Sequence, residues 1–126
     1  MRYVLAAFLA AHGIAHLVGF VVPWRLMTAA DLPYKTTIFA GRVDLGADGI
    51  RMIGLLWLAT AVAFLAASVT WALDLRSAFV LLAVAVAAST MLCVVDWPEA
   101  RIGLLVNVAI LAALVAATRA GMQLRS

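Results

Sequence analysis

The polar residues of this chain are gathered into a few short stretches, separated by long segments without a formal charge. Four such segments run for 22 residues between Arg2 and Arg25, 22 between Arg51 and Asp74, 19 between Arg76 and Asp96, and 17 between Arg101 and Arg119. At about 1.5 Å per helical residue, each is close to the length that crosses a hydrocarbon core of about 30 Å. The pattern therefore predicts four transmembrane helices, over residues 3–22, 50–71, 77–95 and 99–118. Pro23-Trp-Arg25 ends the first, because proline stops a helix while Trp24 and Arg25 suit the membrane interface. Asp48 stands where it would cap the second. Asp74-Leu-Arg76 makes a tight turn into the third, and Asp96-Trp-Pro-Glu99 reads as a capping box with proline in the first turn of the fourth.

Short turns between the second, third and fourth spans force a hairpin order. The expected fold class is thus all-α: an integral membrane antiparallel four-helix bundle, a single domain over residues 1–126. The connection Leu26–Gly49, at 24 residues, is long for a bundle. It is expected to be ordered on one face, and within it Thr28-Ala-Ala-Asp31 fits a capping box.

Composition sharpens this picture. Apolar residues make up 67% of the chain and charged residues 12%, whereas soluble domains run near ~45–50% and ~25%. A soluble enzyme, a nucleic-acid binder and a disordered chain are excluded. The net charge of +3 places basic residues at span ends against lipid headgroups, so the partner it indicates is the bilayer and not nucleic acid. Arg2, Arg76, Arg119 and Arg125 fall on the side of the termini, and Arg25, Lys35, Arg42, Arg51 and Arg101 on the other. The counts nearly balance, and the purely basic tail against the charge-mixed loop favours cytoplasmic termini. The first span begins like a signal peptide, but its length, its two histidines and the want of a small-x-small cleavage site favour a retained helix. The lone Cys93 lacks a thiol partner and is expected to be a buried small hydrophobe.

Candidate chemistry centres on His12 and His16. Four residues apart, they project from one face of the first span near mid-membrane depth. An ionisable side chain there is by default a functional candidate. Imidazole can ligate haem or a divalent metal, move protons, or hydrogen-bond a quinone or lipid headgroup. It can equally bond across the bundle to a hydroxyl or a carbonyl. A metal held by His12 and His16 would need further ligands, and Asp44 and Asp48, also four apart at the end of the long loop, are the carboxylates expected within reach. Arg51 would stand with them at the rim of a ligand site. Trp57, about two turns into the second span, either lines that site or packs. Asn107, the amide deep in the fourth span, is a candidate for interhelical hydrogen bonding or ligand recognition.

The segments His12-Gly-Ile-Ala-His-Leu-Val-Gly-Phe20, Gly54-Leu-Leu-Trp-Leu-Ala-Thr60 and Trp97-Pro-Glu-Ala-Arg-Ile-Gly103, with Asn107 following, resemble a group of small bacterial four-span membrane proteins. In layout the chain is similar to DoxX-like proteins, whose first span carries an HGxxK-type motif where this one has His12-Gly-x-x-His16. The resemblance implies a bacterial inner-membrane location and a link to membrane oxidoreductase complexes and quinone-linked redox. Three functions stay open: a ligand-binding or redox-accessory subunit, a non-catalytic structural or assembly protein, and a small proton-coupled transporter working as a homodimer. The absence of a carboxylate from every charge-free run counts against the last.

Overall fold

The computed structural model describes residues 1–125, with side chains through Ala120. Its elements are α1 (Arg2–His16), α2 (Val18–Val21), β1 (Thr37–Ile38), β2 (Val43–Asp44), α3 (Gly46–Ala72), α4 (Ala78–Val95) and α5 (Arg101–Arg125). The described chain is helical apart from one small two-stranded sheet, and four stretches are long and apolar enough to cross a membrane: Arg2–Val21, Gly46–Ala72, Ala78–Val95 and Arg101–Ala120.

The helices pack in chain order, α1 and α2 on α3, α3 on α4, and α4 on α5. Small side chains make this possible. Ala61, Ala67 and Ala85 are wholly buried, so neighbouring backbones come close around Phe64, Leu9 and Leu82. Gly13 is required for the same reason, since a methyl there would lie 2.9 Å from Phe64 Cβ. At Gly19 a methyl would overlap the indole of Trp57. Hydroxyls within the helices are satisfied locally: Thr60 and Thr90 each donate to the carbonyl one turn back. Ser68 instead crosses from α3 to α1, donating to the Ala6 carbonyl at 2.6 Å.

Several element boundaries differ from the sequence expectation, each for a visible reason. The first span is interrupted at Leu17, whose N–H reaches Ile14 O in a tight three-residue turn and separates α1 from α2. The helix of the second span starts at Gly46, four residues before Ile50. Asp48 is not its cap. It lies in the first turn, while the Asp44 carboxylate accepts the Gly46 N–H at 2.9 Å. Thr28–Asp31 caps no helix, since the segment forms a turn closed by an isolated bridge between Ala29 and Leu32. The Asp96–Glu99 box also does not form. Both carboxylates are engaged by other elements, and α5 begins only at Arg101.

The long connection is compact. β1 and β2 pair antiparallel, Thr37 with Asp44 and Ile38 with Val43. Three successive residues of the intervening turn, Phe39, Ala40 and Gly41, have positive φ. Glycine adopts that conformation freely, whereas Phe39 and Ala40 do so at a cost of about 1 kcal/mol or more each. Anchors offset it: Phe39 N–H donates to Val95 O at 2.8 Å, and Ile38 is buried. The hairpin is thereby tied to the end of α4.

Candidate functional site

Four polar side chains from three helices form one hydrogen-bonded chain. His12 Nε2 lies 3.1 Å from Asn107 Oδ1, Asn107 Nδ2 donates to Ser89 Oγ at 2.8 Å, and Ser89 Oγ lies 2.6 Å from His16 Nε2. His16 Nδ1 closes the sequence on the His12 carbonyl at 2.8 Å. Asn107 and Ser89 are fully buried, His16 is buried, and His12 is half-buried. The aromatic surroundings hold both rings. His12 meets Phe64 edge-on with centroids 4.8 Å apart, and His16 lies between Phe64 at 5.0 Å and Trp57 at 5.2 Å.

The direction of every bond follows from the chemistry of the ends. A carbonyl oxygen only accepts, so His16 Nδ1 and His12 Nε2 are the protonated nitrogens. A neutral imidazole carries one proton, which leaves His16 Nε2 an acceptor for the Ser89 hydroxyl. Ser89 in turn accepts from the Asn107 amide. Among the described residues, no buried side-chain nitrogen or oxygen is left without a partner. His12 Nδ1 has no bond to any of them, so it is an exposed acceptor.

His12 and His16 line a cavity of about 490 Å³, within the range of small-molecule sites. Its walls are mainly apolar, supplied by Val18 and Gly19 of α2, Trp57 of α3, and Ile102, Gly103 and Val106 of α5. The connection contributes Ala29–Leu32, and Ala15 of α1 with Cys93, Asp96, Glu99 and Ala100 complete the lining. Trp57 Nε1 donates to Asp96 Oδ2 at 2.7 Å, buried between α3 and the α4–α5 turn. Burial raises the Asp96 carboxyl above the usual carboxylate range, with the Trp57 hydrogen bond and the Lys35 charge acting against it. Lys35 Nζ bonds Glu99 Oε2 at 2.8 Å and holds that carboxyl below its ordinary range. A larger cleft of about 820 Å³ lies at the other end of the helices, walled by Leu5, Phe8, Trp71 and Phe79. Its charged members include Arg2 and Asp74, paired at 3.6 Å on the exposed surface, so it offers no buried polar group for recognition.

Of the expected site residues, the structure brings together His12, His16, Trp57 and Asn107, the last as a support behind the cavity. Asp44, Asp48 and Arg51 are placed elsewhere. Asp44 is exposed at the hairpin end, its carboxyl lowered first by the Gly46 N–H and then by Thr36. Asp48 is fully exposed and pairs with Arg51 at 3.9 Å. The Arg51 guanidinium lies 5.6 Å over the Trp24 ring, and Trp24 Nε1 donates to the Arg51 carbonyl. These residues anchor the start of α3. The expected divalent-metal set of His12, His16, Asp44 and Asp48 is accordingly not formed, and no group of three His, Cys, Asp or Glu suited to a metal occurs among the described residues. Both His16 nitrogens and His12 Nε2 are already bonded, so among the four ring nitrogens only His12 Nδ1 keeps a free lone pair.

Ser89, Asp96, Lys35 and Glu99 were not expected at a site. Ser89 was legible in principle, as a hydroxyl within an otherwise apolar run. The other three needed the fold, because 64 residues separate Lys35 from Glu99 and 39 separate Trp57 from Asp96. Compared with known protein families, curated proteins and solved structures, the chain gives no match.

Proposed function

We propose that this chain is a multi-pass protein of the bacterial inner membrane, an antiparallel four-helix bundle with cytoplasmic termini, that binds a small lipid-soluble ligand in the cavity beside His12 and His16. It would serve as a ligand-binding or redox-accessory subunit of a membrane assembly. The observation that carries this reading is the half-used imidazole of His12. One ring nitrogen is fixed by Asn107, the other has no bond to any described residue, and His12 lines an apolar cavity. A purely structural histidine has no need of that cavity. The resemblance of the segments around His12 and Trp57 to small bacterial four-span membrane proteins, DoxX-like in layout, supports the same assignment. The transporter alternative is disfavoured by the hydrogen-bonded chain itself, which ends on the carbonyl of the residue where it starts and so leads nowhere across the bundle.

The test is native mass spectrometry of the protein extracted from its own membrane in nanodiscs. A defined small adduct is expected on the natural protein. It should be lost from Ala15→Phe, which fills the cavity from the α1 wall, and from the double variant His12→Leu, His16→Leu. A natural protein without any adduct, or one retained in Ala15→Phe, would overturn the assignment.

A further inference from the structure

The chemistry of the ligand can be read from the hydrogen-bond directions, given the cavity proposed above. We infer that His12 Nδ1 is a hydrogen-bond acceptor for a ligand hydroxyl, so the site selects an apolar molecule bearing an O–H, of the phenol or long-chain alcohol class, over one that offers only carbonyl or ether oxygens. Asn107 sets the direction of the chain. Its amide is turned by Ser89, which takes the Nδ2 hydrogen at 2.8 Å and leaves Oδ1 facing α1. Ser89 is itself oriented, because His16 Nε2 at 2.6 Å takes its hydroxyl hydrogen. His16 is set by the His12 carbonyl, which accepts from Nδ1 at 2.8 Å. With Oδ1 presented, His12 must place its single proton on Nε2 to make the 3.1 Å bond. Nδ1 then holds a lone pair and no hydrogen.

Each member of the chain is fixed by the next, and four of the five groups are buried or are backbone. Reversing His12 would cost its bond to Asn107 and leave Oδ1 unpaired. The rest of the lining fits an apolar body. Val18, Ile102 and Val106 flank the cavity, and the Trp57 N–H is already taken by Asp96. A carbonyl-only ligand would meet a lone pair at Nδ1 and gain nothing there.

The experiment is a matched pair, 4-butylphenol and 4-butylanisole, which differ by the hydroxyl hydrogen. Binding is followed by ligand-observed NMR on protein in nanodiscs, with empty nanodiscs subtracted. The phenol is expected to bind about tenfold more tightly, as one buried hydrogen bond gives. His12→Leu combined with Asn107→Leu removes the Nδ1 acceptor together with the buried partner of Nε2, and should erase the preference. Equal binding of the two probes would overturn the hydroxyl assignment while leaving the cavity reading intact. Binding of neither would overturn both. A preference that persists in the double leucine variant would place the acceptor elsewhere and overturn this one. The unsubstituted protein gives an independent check. With 15N-labelled histidine, Nδ1 of His12 should carry no proton in the free state and should shift on addition of the phenol but not of the anisole. A proton found on Nδ1 would overturn the inference.

Discussion

Ser89 joins three helices through one oxygen. It donates to His16 of α1 and accepts from Asn107 of α5, while its own backbone belongs to α4. Ser89→Ala would leave His16 Nε2 unpaired, and Asn107 Nδ2 would keep only the 4.0 Å approach to Cys93 Sγ. Unsatisfied buried groups cost about 1–3 kcal/mol each, so the variant should unfold at a clearly lower temperature in detergent. Because the groups act as one network, Ser89→Ala with Asn107→Leu should lose less than the two losses added, by roughly 0.5–3 kcal/mol. Additive losses in such a cycle would show that the residues act separately.

Among the elements, the connection between α2 and α3 is held by one ion pair in addition to its own strands. Lys35 and Glu99 are each about a fifth to a quarter exposed, and the bond between them fastens the connection to the α4–α5 turn. Glu99 is held below its ordinary value, so the pair stabilises the fold at and above that value and is lost as the pH falls through the depressed one. Asp96 has the opposite sign. Its carboxyl is raised by burial, and acidification through that raised value relieves a cost. Amide exchange over Lys35–Ile38 should therefore stay slow down to the ordinary glutamate range and quicken below it. Lys35→Met should exchange fast throughout, with no such step, and a step that survives this substitution would assign it to another carboxyl. The same elements show what the sequence could convey. Charge-free runs located all four long helices, because an apolar stretch of fixed length is a local property. The His12–His16 face and Asn107 were legible by the same logic, as polar residues stranded inside those runs. Asp44 and Asp48 were not, since their spacing suited a pair of ligands while hydrogen bonding to Gly46 and exposure at the first turn of α3 decided their places. Which carboxylate meets Lys35 is set by tertiary packing alone.

At the scale of the whole molecule, the helices follow one another in space as they do in sequence, and α1 and α5 meet sparsely along a seam at the two ends of that order. Among the described residues a single hydrogen bond crosses it, from His12 to Asn107. Cavities occupy the seam on either side of that bond, the candidate site towards the hairpin and an apolar cleft walled by Leu5, Phe8, Ala113 and Leu114 beyond it. The proposed orientation can be checked by labelling. Single cysteines at Arg42, in the exposed hairpin turn, and at Leu75, in the turn between α3 and α4, should respond oppositely to a membrane-impermeant maleimide. With cytoplasmic termini, Arg42→Cys labels in intact spheroplasts and Leu75→Cys only after lysis, while the buried Cys93 stays silent in both. The reverse pattern would invert the topology.

That single crossing bond also has a consequence for how the protein is made. The ribosome delivers His12 95 residues ahead of Asn107. His16 finds Ser89 earlier, 73 residues on, so the first three spans can assemble with one histidine satisfied and the other not. In the proposed membrane setting His12 would, until α5 arrives, keep an unanswered N–H inside the bilayer, where such a group is costly. The folded protein and the nascent one would therefore differ by a polar mark that is erased only when α5 packs against α1.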